Sequence, residues 1–451
     1  MNFKIDLSIF RAYDIRGIYP SEINEKVAYL VGRAFVKFLR KQRLKIVVGR
    51  DNRLSFPSLF KSLVKGLLEE GAEVIDIGLA TTPMLYFSVA HFKFDGGIQI
   101  TASHLPAEWN GFKLVREKAI PISEKTGIEE IRNLVLAGDF KRKKGGRILR
   151  KEVLKEYIGF NLKNFDLKAI KPLKIVIDTA NAIPGILVPE IFKKPNCKIY
   201  HLFAKLDGSF PNHNPDPLIK ENLRFLQKEV RDKKADLGVA FDGDGDRIIF
   251  VDEKGGVISG DLITSLMAKL ILTKNRGQKI LYDIRSSNIV REIIKKEKGV
   301  PIISRIGHSF IKEKMRKEDI IFGGEFSGHY YLKEHYFCEA PIFVLLKILE
   351  TRAKTKKTLS ELIQPFKKYF HSGEINFEVE NKTKILKALE REYKEGKICR
   401  LDGLRIDFKN WWFLARPSQT EPLLRMVLET KTKKLLEKKK KELIGLIKSF
   451  C

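Results

Sequence analysis

No run of 18 or more apolar residues occurs in this sequence, so no membrane span is expected. The opening MNFKIDLSIFRAYDIRG carries charge at Lys4, Asp6 and Arg11 and lacks the apolar core of a signal peptide, which points to a cytoplasmic protein. Cysteine is scarce, with four in 451 residues (Cys197, Cys338, Cys399 and Cys451). None pairs as CxxC, so neither a zinc site nor a disulfide framework is indicated. Also missing is any aromatic-interleaved basic motif or RNA-module signature. That absence matters because the formal net charge is +29, which otherwise admits nucleic acid as readily as acidic small molecules. Much of the excess lies in Lys-rich stretches, KRKK at 141–144 and KTKKLLEKKKKE at 431–442. Leu435, Leu436, Leu443 and Ile447 recur at helical spacing in and beyond the second stretch, which puts its lysines on a solvated face. The expected partners are small anionic molecules, with neither nucleic acid nor membrane.

Three segments resemble one another: KIVVGRD (45–51), KIVIDTA (174–180) and KILYDIR (279–285). Each is a lysine, a short apolar or β-branched run and then polar residues, the pattern of a buried parallel strand ending in a loop. Helical patterns alternate with them, such as PSLFKSLVKGLLEE (57–70) before the strand AEVIDIG, which argues for α/β units. Repetition at such long intervals predicts related domains rather than a solenoid. After about residue 370 the pattern changes to strands at INFEVE, LRIDF, WWFLAR and LRMVLET and a last helix, a smaller α+β domain. The expected domains are 1–147, 148–253, 254–365 and 366–451.

Chemistry concentrates in four places. Ser103 and His104 (TASHLPAEWNGF, 101–112) follow the apolar strand GGIQI, where open α/β sheets place their reactive groups. Ser103 is either such a group or the cap of a following helix. FDGDGDR (241–247) sets Asp242, Asp244 and Asp246 at alternate positions between permissive glycines. Three carboxylates in five residues repel unless a cation neutralises them, and hard oxygen ligands favour Mg²⁺ or Ca²⁺. An EF-hand is excluded because the preceding VAF is a strand and Glu253 lacks flanking helices. GGEFSGH (323–329) packs Glu325, Ser327 and His329 into a loop suited to sugar hydroxyls. RPSQTEPLLR (416–425) offers Arg416, Ser418, Gln419 and Thr420, the donors of a phosphate clamp.

Together with FRAYDIRG (10–17), RIGHSFIKEKM (305–315) and SGEIN (372–376), these motifs run through the chain in the order found in the α-D-phosphohexomutase superfamily. Within it the sequence resembles the phosphomannomutase/phosphoglucomutase group. The resemblance implies three related mixed α/β domains plus a smaller C-terminal α+β domain around a central active-site cleft. It implies a cytoplasmic isomerase that interconverts hexose 6-phosphate and hexose 1-phosphate, of mannose, glucose or both. Ser103 would be the phosphoserine and would join Asp242, Asp244 and Asp246 around one Mg²⁺. Arg16 and Lys113 would flank the transferring phosphoryl group, and His329 would be the general base. Tyr13, Arg247, Arg285, Gly307, His308, Glu325 and Ser327 would contact the sugar phosphate. Arg416, Ser418, Gln419 and Thr420 would hold the phosphate that is not reacting. The cofactors implied are Mg²⁺ and a hexose 1,6-bisphosphate as activator and intermediate. The partners are phosphosugars, and the protein would be a monomer or weak homodimer.

The sequence departs from the group at three points. Gln419 stands where Asn is more common, FCEAPI (337–342) replaces an Asp-Asp-Gly turn, and Arg285 falls where some members have Lys. A phosphoglucosamine mutase is the alternative, but those proteins open with a GTDGIRG-like motif and carry Gln in the sugar loop. Here the opening is RAYDIRG and the loop has Phe326. A non-enzymatic nucleic-acid binder is the remote alternative, motivated by charge alone.

Overall fold

The computed structural model describes residues 5–168, 170, 172–193, 196–418 and 423–450. The chain divides into two compact units, residues 1–259 with 327–360, and residues 260–326 with 361–451.

The first unit holds two sheets. In one, the strands run in the order Ile15–Ile18, Trp109–Arg116, Gly96–Ile100, Lys45–Arg50, Glu73–Leu79 and Arg147–Arg150. GGIQI is wholly buried, parallel to Lys45–Arg50 and antiparallel to Trp109–Arg116. A strand covered on both faces has no need of alternation, and its residues are small or apolar apart from Gln99, whose Nε2 donates to the Ala80 carbonyl at 2.6 Å. Helix Thr82–His91 is buried through most of its length, in keeping with a sequence that is apolar on every side apart from Thr82, Ser88 and His91. Its N-cap Thr81 accepts from the Met84 amide, and Pro83 sits in its first turn.

The second sheet runs Val257–Ile258, Ile248–Asp252, Leu237–Phe241, Leu173–Asp178 and Cys197–Leu202. Leu237–Phe241 is parallel to Leu173–Asp178 and antiparallel to Ile248–Asp252. Residues 242–247 are therefore the connection of a hairpin whose two strands are entirely buried. Residues 327–360 of this unit add the paired strands Tyr330–Leu332 and Cys338–Glu339 and the helix Pro341–Thr355, which sends Ile342 and Leu346 into a core with Leu85 and Tyr157.

In the second unit, Lys279–Asp283 lies between parallel partners Val300–Ser304 and Phe322–Gly324. The remaining sheet is antiparallel, built on Leu404–Asp407, Trp411–Pro417 and Leu423–Thr430, and helix Lys433–Lys448 carries Leu436, Leu443 and Ile447 into its core. All three repeated segments are thus central strands with parallel neighbours. The fold is three α/β domains followed by a C-terminal domain of antiparallel strands and helices.

Candidate active site

Ser103 caps no helix: a turn follows it and then the strand Trp109–Arg116. It is 3% exposed and holds a left-handed backbone with φ of +54°. Its Oγ donates to Asp242 Oδ2 at 2.9 Å and lies 3.2 Å from His104 Nδ1. Burial, then the charges of Arg247 and Arg16, keep the His104 imidazole well below its ordinary pKa, hence neutral.

The hairpin turn brings Asp242, Asp244 and Asp246 together with carboxylate oxygens within 4.8 Å of one another, all buried. Gly243 is required here, since a Cβ would stand 2.2 Å from the Ser103 carbonyl oxygen. Lys113 Nζ bridges two of the carboxylates, 2.6 Å from Asp244 Oδ2 and 2.7 Å from Asp246 Oδ2. Burial works to discharge this ammonium, but Asp244 and Asp246 outweigh it and hold its pKa above the usual lysine value. The N-terminus of helix Thr82–His91 points at the same group, with the Thr82 amide donating to the Asp244 carbonyl at 2.9 Å and the Thr82 hydroxyl donating to Asp244 Oδ2. Even so the charge is unevenly offset: against burial, Lys113 and His329 hold the Asp246 carboxyl well below the ordinary range. Burial, then Asp246 and Asp244, push the Asp242 carboxyl well above the ordinary range. Asp244 Oδ1 is buried and accepts no hydrogen bond. A hard, all-oxygen donor set with an unused buried oxygen fits a divalent cation.

Around this cluster, the Arg247 amide donates to Asp242 Oδ1 at 3.1 Å and its guanidinium lies 4.0 Å from Asp216. His329 Nε2 sits between Arg247 Nε at 3.2 Å and Asp246 Oδ1 at 3.1 Å, while its Nδ1 is 3.0 Å from Ser327 Oγ. One side of Nε2 thus meets a donor and the other an acceptor, so this nitrogen can hold or release a proton with a partner either way. Arg16 pairs with Asp14, and its strand lies antiparallel beside Trp109–Arg116 with Arg16 opposite Gly111. Tyr13 is partly buried nearby in sequence. Sequence reasoning did not single out Thr82 or Asp216. Neither lies in a motif of its own, and each acquires a role only by touching Asp244 or Arg247 in space.

The loop containing Glu325 is divided between the units, for Glu325 and Phe326 end the segment of the second unit and Ser327 begins that of the first. In the second unit, Arg285 Nη2 lies 2.7 Å from Asp283 Oδ2 and 3.8 Å from Glu325 Oε1, and the Gly307 amide donates to Glu325 Oε1 at 3.4 Å. His308 begins the helix His308–Glu318. Phe326 stacks on His371 with centroids 4.8 Å apart. Arg416 lies in the strand Trp411–Pro417, and Ser418 receives Lys382 Nζ on its carbonyl at 2.9 Å. Gln419 and Thr420 lie outside the described residues.

All four parts of the chain match models of one family. These are the phosphoglucomutase/phosphomannomutase α/β/α domains I, II and III at residues 7–142, 155–256 and 259–369, and its C-terminal domain at 374–446. The chain belongs to the phosphoglucomutase/phosphomannomutase family and is an enzyme of the isomerase class, a phosphohexomutase. It is 41% identical to the phosphomannomutase of Methanocaldococcus jannaschii over 446 residues, 98% of each chain. It is 39% identical to the phosphomannomutase of Vibrio cholerae over 462 residues, 99% of each. Among solved structures, a phosphoglucomutase/phosphomannomutase family protein from Burkholderia thailandensis superposes with a TM-score of 0.90 at 31% identity, covering 99% of this chain and 98% of that one.

Proposed function

We propose that Ser103 carries the phosphoryl group exchanged between hexose 6-phosphate and hexose 1-phosphate, with mannose and glucose as the sugars. The observation that carries this reading is the Ser103 hydroxyl, buried against Asp242 and beside a carboxylate cluster spanned by Lys113. In the first half-reaction the bond between Ser103 Oγ and phosphorus breaks while a sugar hydroxyl oxygen bonds to phosphorus. The proton of that hydroxyl passes to His329 Nε2. A hexose 1,6-bisphosphate results, turns round, and presents its other phosphoryl group. The Ser103 oxygen then bonds to phosphorus, the sugar oxygen leaves, and His329 returns the proton to it. Arg16 and Lys113 place positive charge at the phosphoryl oxygens, and Arg247 orients the sugar.

Asp242, Asp244 and Asp246, with an oxygen of Ser103, would hold one Mg²⁺. That ion would supply Lewis-acid neutralisation of charge on the transferring phosphoryl group. In the second unit, Glu325 accepts from sugar hydroxyls and Arg285, Gly307 and His308 contact the sugar phosphate; Tyr13 and Ser327, of the first unit, have the same role. Arg416 and Ser418, with Gln419 and Thr420, hold the phosphate that is not reacting. The test is to supply mannose 1-phosphate or glucose 1-phosphate with Mg²⁺ and a trace of the matching 1,6-bisphosphate and to follow the 6-phosphate. Turnover of neither sugar would end this reading.

A further inference from the structure

Ser103 adopts a backbone conformation that L-residues with a Cβ avoid, so the surroundings must over-determine it. The segment from Ser103 to Glu108 belongs to no helix or strand, and of its carbonyls only those of Pro106 and Glu108 accept from backbone amides among the described residues, of Trp109 at 3.1 Å and Tyr19 at 2.8 Å. Four of the carbonyls from Ser103 to Trp109 converge on one side chain. Arg53 is wholly buried. Its Nη2 donates to the carbonyls of Ser103 at 2.8 Å and Leu105 at 2.7 Å. Its Nη1 donates to those of Pro106 and, at 2.9 Å, Trp109. Its Nε donates to Asp51 Oδ2 at 3.1 Å. A guanidinium has five N–H donors in a planar fork, and here each has an acceptor.

The other side of the turn is tied to the same group. Asp51 Oδ2 also accepts from Thr101 Oγ1 at 2.6 Å, and Thr101 Oγ1 accepts from the Ser103 amide at 2.9 Å. The Asp51 amide donates to the Ile100 carbonyl at 3.0 Å, which anchors the assembly to the sheet. Both the N–H and the C=O of Ser103 are thus fastened through the Asp51–Arg53 pair. On its far side the Ser103 carbonyl is backed by Gly243, so the same fastening sets the distance between Ser103 and the carboxylate turn.

We infer that Arg53 is the positioning residue that holds the Ser103 turn in register with the Asp242 turn, an inference that rests on Ser103 being the phosphoryl carrier. Arg53 touches no reacting atom and acts through the turn alone. Lysine cannot replace it, because an ammonium has three donors radiating from one point and must leave carbonyls of the turn unpaired. A reacting oxygen displaced by about 1 Å loses on the order of 100-fold in rate, whereas the contacts that bind the sugar phosphate lie elsewhere.

The experiment compares Arg53→Lys with the wild type for melting temperature, kcat, KM and the fraction of Ser103 that accepts phosphate from a hexose 1,6-bisphosphate. The expected result is a folded Arg53→Lys whose kcat per folded molecule falls about 100-fold while KM moves by less than about threefold. A folded Arg53→Lys with kcat near wild type overturns the proposal, and so does a loss that matches the unfolded fraction. If Arg53→Lys does not fold, Arg53→Ala is assayed with added methylguanidinium and, separately, methylammonium. Recovery of kcat by the first cation alone supports the positioning role, and equal effects of the two overturn it. Peptide mapping of wild type treated with a hexose 1,6-bisphosphate separates the two readings. Phosphate absent from Ser103 removes the carrier role and this inference with it. A phosphorylated Ser103 with an undamaged Arg53→Lys removes the Arg53 role alone.

Discussion

Ser103 Oγ donates a hydrogen bond to Asp242 Oδ2 at 2.9 Å, across 139 positions of sequence. The acceptor is a carboxylate that burial and two like charges already press toward protonation. Placing a phosphoryl group on that oxygen adds up to two more negative charges to the same spot, which only a cation can offset.

Ser103→Ala should accordingly lose both phosphate and turnover. Wild-type protein treated with a hexose 1,6-bisphosphate should gain the mass of one phosphate, and peptide mapping should put it on Ser103. The alanine variant should gain none, and its kcat should fall by more than about a thousandfold. Phosphate mapped to another residue of active protein would contradict the assignment.

Divalent ion should stabilise the protein through the same carboxylates. At a concentration near 100 times its dissociation constant, Mg²⁺ should add about 2.7 kcal/mol to the unfolding free energy, and chelation should remove both that gain and the activity. Asp244→Asn keeps the shape and removes one charge, so metal-free stability should change little while the Mg²⁺-dependent gain largely disappears. By linkage, phosphorylated wild type should bind Mg²⁺ more tightly than dephosphorylated protein. Calorimetric titration of the two forms checks this, and equal affinities would count against a site shared by phosphate and metal.

Glu325 should serve both sugars alike. In the mechanism proposed above a bisphosphate presents either end to Ser103, so groups that contact the ring must tolerate its reversal and leave C2 largely unread. Loss of a buried charged acceptor should lower kcat/KM of Glu325→Ala by about 10–100-fold on mannose and glucose phosphates alike. A variant that lost one sugar and kept the other would show that this loop reads C2.

His213 should make stability depend on pH. Its Nε2 lies 3.1 Å from Asp178 Oδ2 and its Nδ1 2.8 Å from the Asn214 carbonyl oxygen. Both partners accept only, so both ring nitrogens must carry protons to satisfy them. Burial works to lower the imidazolium's pKa, but Asp178 outweighs it and the net shift is upward. A raised folded pKa contributes stability that is complete below the unfolded value of about 6.5 and is lost as pH rises through the folded one. The stability difference between wild type and His213→Ala should therefore be larger at acidic than at alkaline pH. A difference independent of pH would mean that the pair is not ionic.

Some of this was decided by residue order alone. KIVVGRD, KIVIDTA and KILYDIR could be read as buried parallel strands because a strand covered on both faces must be continuously apolar. DGDGDR could be read as a cation site because three carboxylates so close cannot stay charged and buried unaided. The roles of Ser103, Arg16 and His329 came from the resemblance to a family, since one serine after a strand fits a helix cap equally well. Other relations exist only in the folded chain. Lys113 spans Asp244 and Asp246 from more than 130 residues away. Thr82 meets Asp244 because a helix N-terminus ends there, and Arg53 gathers four carbonyls of a turn that begins 50 residues on. No spacing announces such contacts. Hydrogen bonds to backbone carbonyls leave no signature in the partner's residue type, because every residue carries a carbonyl, and only the three-dimensional path of the chain selects which ones an arginine can reach.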